Sequence, residues 1–187
     1  MAKRKLTPEQ KQYLIDLKKK PNEVDVRYKE IIKQKLLEDD TLIYLLNNKQ
    51  LEDVDAENDE YFGVNIKPMF MIPDTQTNVQ NYLCYEVSFE EGARYNSDIK
   101  YQQIIFYILC HEKTAIVSDI GASRHDLIAG LLIDKFNGSN IFGNQLKLIS
   151  DKPSVTDNDY STRTLVFEQK ITNSLTKGDG KSFNLRK

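Results

Sequence analysis

The sequence predicts an α+β domain: a mainly antiparallel sheet of about five strands with one amphipathic helix packed on it and helices at its N-terminal side. Two observations predict it. The hydrophobic period is helical up to about residue 46 and becomes strand-like from residue 64, with one strongly amphipathic helical stretch between the third and fourth strands. The strand segments are joined by turn-rich links of the kind that make hairpins, which favours antiparallel pairing with helices packed on the sheet.

The elements follow in order. Thr7-Pro8-Glu9-Gln10 starts the first helix, with Thr7 as cap, Pro8 at the first helical position and Gln10 closing a capping box. Pro21 ends it, because the residue before a proline avoids the α region. A second helix is predicted from Val24 to Leu37 and a third over Thr41–Leu46, capped by Asp40 and stopped by Asn47-Asn48. Residues 50–63 read as a loop. Val64–Ile72 reads as a strand, placed at an edge or bulge by Pro68. Tyr82–Phe89 alternates, with Leu83, Tyr85, Val87 and Phe89 on one face, and pairs as a hairpin with a long strand over Tyr101–Glu112. Ser123–Phe136 is the amphipathic helix, carrying Leu127, Ile128, Leu131, Leu132 and Phe136 and stopped by Asn137-Gly138. Two closing strands are expected over 145–150 and 162–171, with a polar loop at 151–160 between them. Residues 1–22 thus form a basic extension, 23–171 one domain, and 172–187 a flexible tail.

The 187 residues suffice for one domain with a real core, since a chain of this size hides roughly 70% of its unfolded surface. Hydrophobic residues are 40% and charged residues 29%, near globular averages. The 26 basic and 28 acidic side chains nearly cancel, which argues against a dedicated nucleic-acid binder. The basic charge gathers at Lys3, Arg4, Lys5, Lys11, Lys18, Lys19 and Lys20, and the acidic charge at Glu52, Asp53, Asp55, Glu57, Asp59 and Glu60. No apolar run approaches the ~20 residues that span a bilayer, and the first residues hold no secretory signal. Cys84 and Cys110, both in strand-like runs, are expected to be buried free thiols of a reducing compartment.

Motifs for chemistry are few. The acidic loop fails the calcium-loop pattern: counting from Asp53, the positions that need Gly and Glu hold Asn58 and Val64. Two cysteines and two histidines lack zinc spacing. Cys110 and His111 are neighbours on a strand and point to opposite faces, so they do not pair as thiol and base. Ser123 and Asp126, flanking His125, read as a helix cap and a dipole partner rather than an anion site. No catalytic, cofactor-binding or metal-binding residue is therefore assigned.

The long third strand is apolar on both faces: Ile104, Phe106 and Ile108 on one, Ile105, Tyr107 and Leu109 on the other. Both faces need cover. The amphipathic helix supplies one cover; the N-terminal helices or a second copy of the chain supply the other. Ile105, Tyr107 and Leu109 are thus candidate subunit-interface residues.

The layout resembles the tail-terminator (tail-completion) proteins of long-tailed bacteriophages. The resemblance is carried by Tyr28–Leu42, Tyr82–Phe89, Gln103–Leu109 and Asp126–Ile133, within a stretch from Tyr28 to Ile171. It is one of order and pattern, and the lysine-rich leading helix and the long acidic loop depart from it. It implies a homo-oligomer, a hexameric ring in the virion that caps the tail tube. Its partners would be the tail tube protein and a head-completion or neck protein, with no membrane, cofactor or enzymatic activity. DNA would pass through without sequence readout, and the acidic loop would suit its lumen or a docking face. Three other readings are a different neck or connector subunit, a nucleic-acid-binding accessory protein using the basic N-terminal helix and tail, and a small hydrolase using His111 or His125.

Overall fold

The computed structural model describes residues 7–17, 25–71, 79–91, 99–157 and 159–172. The first helix, α1 (Pro8–Leu17), opens on the predicted capping box. The Thr7 N–H donates to Gln10 Oε1 at 3.0 Å and the Gln10 N–H donates to Thr7 Oγ1 at 3.2 Å. Pro21, the predicted stop, lies outside the described residues, as do most of the basic N-terminal positions and the tail beyond Thr172.

Two further predicted helices are present as α2 (Asp25–Leu37) and α3 (Asp40–Leu46). The cap of α3 is Asp39 rather than Asp40: its Oδ1 accepts the Leu42 N–H at 3.1 Å. Asn47 ends α3 in the left-handed region (φ 50°), which Asn tolerates better than most residues. Asn48 then caps a single turn, α4 (Lys49–Glu52), where a loop was expected. Its side chain accepts the Gln50 N–H at 3.1 Å. A 3₁₀ turn, Asn58–Tyr61, follows and buries Tyr61.

The main sheet has the order β1-β2-β3-β7-β6, with β1 Ile66–Lys67, β2 Tyr82–Glu91, β3 Ile99–His111, β6 Lys147–Asp157 and β7 Tyr160–Thr172. Only β1–β2 is parallel; the other pairs are antiparallel, so the α+β fold with a mainly antiparallel five-stranded sheet is as predicted. The β2–β3 hairpin pairs Tyr82 with Leu109 through to Glu91 with Lys100. A separate two-stranded hairpin, β4 (Ile116–Val117) and β5 (Ala122–Ser123), leads into α5 (Arg124–Phe136) and was not foreseen.

Two strand boundaries differ from expectation. The strand predicted over Val64–Ile72 is reduced to Ile66–Lys67; Pro68 has no N–H to continue a ladder, and its carbonyl instead accepts Lys29 Nζ at 2.8 Å. Conversely, the polar stretch after residue 150 stays in β6 as far as Asp157. This strand is an edge, where polar side chains meet solvent on both faces and Pro153 is tolerated. Two register shifts, at Leu148/Ser150 and Val155/Asp157, add the irregularity common on edges.

The helices cover one face only. Ile32 and Leu36 of α2, Leu42, Leu45 and Leu46 of α3, and Ile128, Leu132 and Phe136 of α5 join Leu83, Tyr85, Ile104, Phe106, Ile108, Leu165 and Phe167 in one core. Strand alternation puts these sheet residues on a single side. The expectation that N-terminal helices cover the second face of β3 is therefore corrected: α2 shares the first face with α5.

An ion pair pins the junction of α3 and α5, with Lys135 Nζ 2.7 Å from Asp39 Oδ2. Burial pushes the Asp39 carboxyl up, but the bonds from Lys135 and the Leu42 N–H outweigh it and hold it below its usual value. A carboxyl depressed in the folded state adds stability above its unfolded pKa of about 3.9 and loses it as pH falls through the folded value. The thermal midpoint should therefore fall on acidification below about pH 4. Asp39→Asn, which retains a cap acceptor without charge, should show a shallower acid limb in the same melts. An equally steep limb would assign the acid sensitivity to other carboxylates.

Candidate interaction surface

The second face of the sheet is where the predicted interface residues lie. Alternation along β3 places Ile105, Tyr107 and Leu109 there, facing Val166, Thr164 and Thr162 of β7 across the ladder. The three fare differently. Leu109 is fully buried inside the chain, in a small cluster with Tyr82, Cys84 and Tyr160 against which Met71 and Tyr107 pack. Tyr107 is half-buried, its ring 4.6 Å from that of Phe70. Burial, then the neighbouring Glu86 carboxylate, pushes its phenol up. Ile105 and Val166 are half-buried, and Ile149 of β6 is half-exposed. The segment Met69–Met71 thus covers one end of the face. An apolar band over Ile105, Val166 and Ile149 continues beyond that cover.

The cover is fastened by polar contacts. Glu86 Oε1 accepts the Phe70 N–H at 3.2 Å. At the same end Tyr160 packs 6.3 Å from Tyr82 and 5.1 Å from His111, centroid to centroid.

The six acidic positions Glu52, Asp53, Asp55, Glu57, Asp59 and Glu60 are all exposed, from the last residue of α4 into the 3₁₀ turn. Asn58 ties this loop down, donating to Leu37 O at 2.9 Å and Asp40 Oδ1 at 2.8 Å. Asp55 takes a left-handed conformation (φ 52°). Among the described residues no group of His, Cys, Asp and Glu is gathered to hold a metal ion.

The histidines of the hydrolase reading occupy different settings. His111 is buried and its Nδ1 accepts the Lys113 N–H at 3.2 Å, so the ring serves a turn. His125 Nδ1 pairs with Ser123 Oγ, and its Nε2 lies 3.5 Å from Asp126 Oδ1. Ser123 occupies the cap position of α5 but makes no capping bond, because its hydroxyl is spent on His125. This Ser-His-Asp set differs from a working triad. Asp126 is drawn to Arg163, which also holds Asp151 through two 2.7 Å bonds. The Arg163 bond, against some burial, keeps the Asp151 carboxyl below its usual value. The cluster clamps the start of α5 to β6 and β7.

The thiols are buried and free, as expected. Burial raises Cys110 to about 12 and also pushes Cys84 up, so neither is a thiolate near neutral pH.

Sequence reasoning missed a buried amide network. Asn48 Nδ2 donates to Asn65 Oδ1 at 2.7 Å, Asn65 Nδ2 to Asn81 O at 2.8 Å, and Asn81 Nδ2 to Leu46 O at 3.1 Å. Asn81 Oδ1 accepts from the His111 N–H at 3.1 Å and Thr114 Oγ1 at 3.0 Å. Buried Arg124 extends it, donating to Thr114 O and Leu45 O at 2.7 Å each. A cavity of about 440 Å³ opens beside it, lined in part by Lys49, Val79, Gln80 and Lys113. Asn48 in its wall already uses its amide N and O within the chain. The network joins the end of α3 to the ends of β2 and β3 and the start of α5.

No described helix is long and apolar enough to cross a membrane. No curated protein matches the chain. The family model of YomW matches residues 39–169, more than two thirds of its length and nearly all of the sheet with α3 and α5. By that match the chain belongs to the YomW family, a phage-derived family, and is a phage-associated protein.

Proposed function

We propose that the protein is a structural virion subunit that forms a hexameric ring at the head-proximal end of a phage tail, ending tube growth and joining tail to head. The observation that carries this reading is the half-covered second face of the sheet. A sheet buried on one side by helices and left with Ile105 and Tyr107 of β3 and Val166 of β7 half-covered on the other is the surface expected of a chain completed by neighbours. Burying such a face yields roughly 25 cal/mol per Å² of apolar area. Membership of a phage-associated family and the resemblance in element order support the same reading.

On this reading the chain works by contact alone, without reaction or cofactor. Its partners are further copies of itself, the tail tube protein and a neck protein, and its place is the virion. The six exposed carboxylates of the acidic loop suit a lumen that repels DNA phosphates over about a Debye length, roughly 8 Å at physiological salt. DNA passes without sequence readout.

The test is solution mass by light scattering over a concentration series, alone and with assembled tail tubes. A hexamer, or a monomer that becomes one with concentration or on tubes, is expected. Ile105→Asp, at a half-buried position, should weaken that association while its circular dichroism stays unchanged. A chain that remains monomeric in both series overturns the proposal.

A further inference from the structure

We propose that the cleft beside the buried amide network binds a small organic dianion, a dicarboxylate held between Lys49 and Lys113. Such a ligand neither needs nor excludes the ring.

Three segments meet at the cleft: the junction of α3 and α4 with Asn47, Asn48 and Lys49, the entry to β2 with Val79 and Gln80, and the turn after β3 with Lys113 and Thr114. Its volume of about 440 Å³ lies within the range of small-molecule sites. The floor is fixed by the chain's own bonds. Asn48 is 1% exposed, and its side chain donates to Asn65 Oδ1 and accepts the Gln50 N–H. The Thr114 hydroxyl donates to Asn81 Oδ1 at 3.0 Å. A ligand therefore meets a surface that is already ordered, and little freedom is lost in organising it.

The chemistry of the lining selects for negative charge. Its two charged side chains are both lysines, and no described carboxylate lines it. Lys49 and Lys113 are exposed, and among the described residues neither ammonium has an ion-pair or hydrogen-bond partner. The amide oxygens are engaged within the chain: Asn48 Oδ1 by the Gln50 N–H at 3.1 Å, and Gln80 Oε1 by the Tyr82 hydroxyl at 3.2 Å. The Gln80 amide is left with N–H groups to offer. Ammonium and amide donors match a carboxylate, which only accepts. Two lysines from separate elements match two carboxylates. Val79, 43% exposed in the same lining, gives the carbon chain between them an apolar wall that an inorganic phosphate would not use.

Isothermal titration of the full-length protein with succinate, at an ionic strength held constant with chloride, tests the site. Saturable binding of one succinate per chain is expected, with a rise in thermal midpoint, because a ligand that binds only the folded chain stabilises it. Lys49→Gln and Lys113→Gln should each weaken binding about tenfold, through loss of one charge-assisted hydrogen bond. Both positions are exposed, so circular dichroism should be unchanged. Lys152→Gln, at an exposed lysine of β6 outside the lining, should bind as the native chain does. Absence of saturable heat overturns the proposal, as does equal affinity in all three variants. Inorganic phosphate binding as tightly as succinate overturns it by revealing a general anion site. A short peptide of Asp and Glu that binds more tightly than succinate overturns it too, and assigns the cleft to a partner chain.

Discussion

Phe106→Ala is expected to cost about 3–5 kcal/mol, close to the whole stability of a marginal domain. Phe106 is fully buried on β3, with ring centroids 5.0 Å from Phe136, 5.9 Å from Phe167 and 6.4 Å from Tyr85. It therefore touches the packing helix α5, the neighbouring strand β7 and the hairpin partner β2 at once. Removing the ring loses its transfer energy and leaves a cavity that rings held by three different elements cannot collapse to fill. Ile105→Ala, one residue away on the opposite face, should cost only about 1 kcal/mol in the isolated chain, since its side chain is only partly buried. Urea denaturation followed by circular dichroism measures both. The midpoint should fall far more for the phenylalanine, with the slope unchanged. Equal losses would show that the two faces of β3 are equally covered and that the strand has no sidedness.

That sidedness marks where the sequence stops being readable. Alternation of Leu83, Tyr85 and Val87 with Glu86, Ser88 and Glu90 and the stripe of Ile128, Leu132 and Phe136 announce their elements because apolar residues gather on one side of each. The double-faced run of β3 announces that both sides seek cover, but not which element covers which. Nothing local to Ile32 or Leu36 distinguishes one side of a sheet from the other. The short strand β1 and the long strand β6 were misjudged for related reasons. Pro68 cut a strand that apolar residues appeared to extend. In β6 the exposure of an edge removed the alternation that would have revealed Ser154 and Val155 as strand residues.

The candidate surface was legible to the same degree. Ile105, Tyr107 and Leu109 were correctly grouped on one face by period alone. Leu109 proved to be occupied within the chain, because Tyr82 and Tyr160, distant in sequence, stack over that end of the face. The acidic loop is exposed, as six closely spaced carboxylates require. The amide network carried no signal. Asn47-Asn48 read as a helix stop, Asn65 fell within the strand expected over Val64–Ile72, and Asn81 stood just ahead of the next one, with nothing to link them. Only folding brings the Asn65 side chain onto the Asn48 amide, 17 positions back, and the Asn81 carbonyl, 16 positions on.

Asn81→Leu tests whether that network holds the fold together, and the expected loss is about 3–5 kcal/mol, from two or three buried polar groups orphaned at about 1–3 kcal/mol each. The leucine is similar in volume, so packing changes little. The buried His111 N–H, the Thr114 hydroxyl and the Leu46 carbonyl each lose a partner. The ends of α3 and β3 would then be tied only by apolar contact and by Arg124. Asn81→Asp separates hydrogen bonding from shape. An ionised carboxylate still accepts from His111 and Thr114 but faces the Leu46 carbonyl with no proton to give. Burial would raise this new carboxyl in the folded state, so the native form would hold its proton where the unfolded chain, titrating near about 3.9, would not. Stability of the aspartate variant should therefore fall as pH rises from about 4 toward the folded value, the reverse of the Asp39 effect. Urea midpoints between pH 4 and pH 8, set against the native chain over the same range, measure it. A flat difference would mean that water reaches Asn81 and that the network is a surface feature; a difference growing with pH would place a buried, fully committed amide at the joint between helices and sheet.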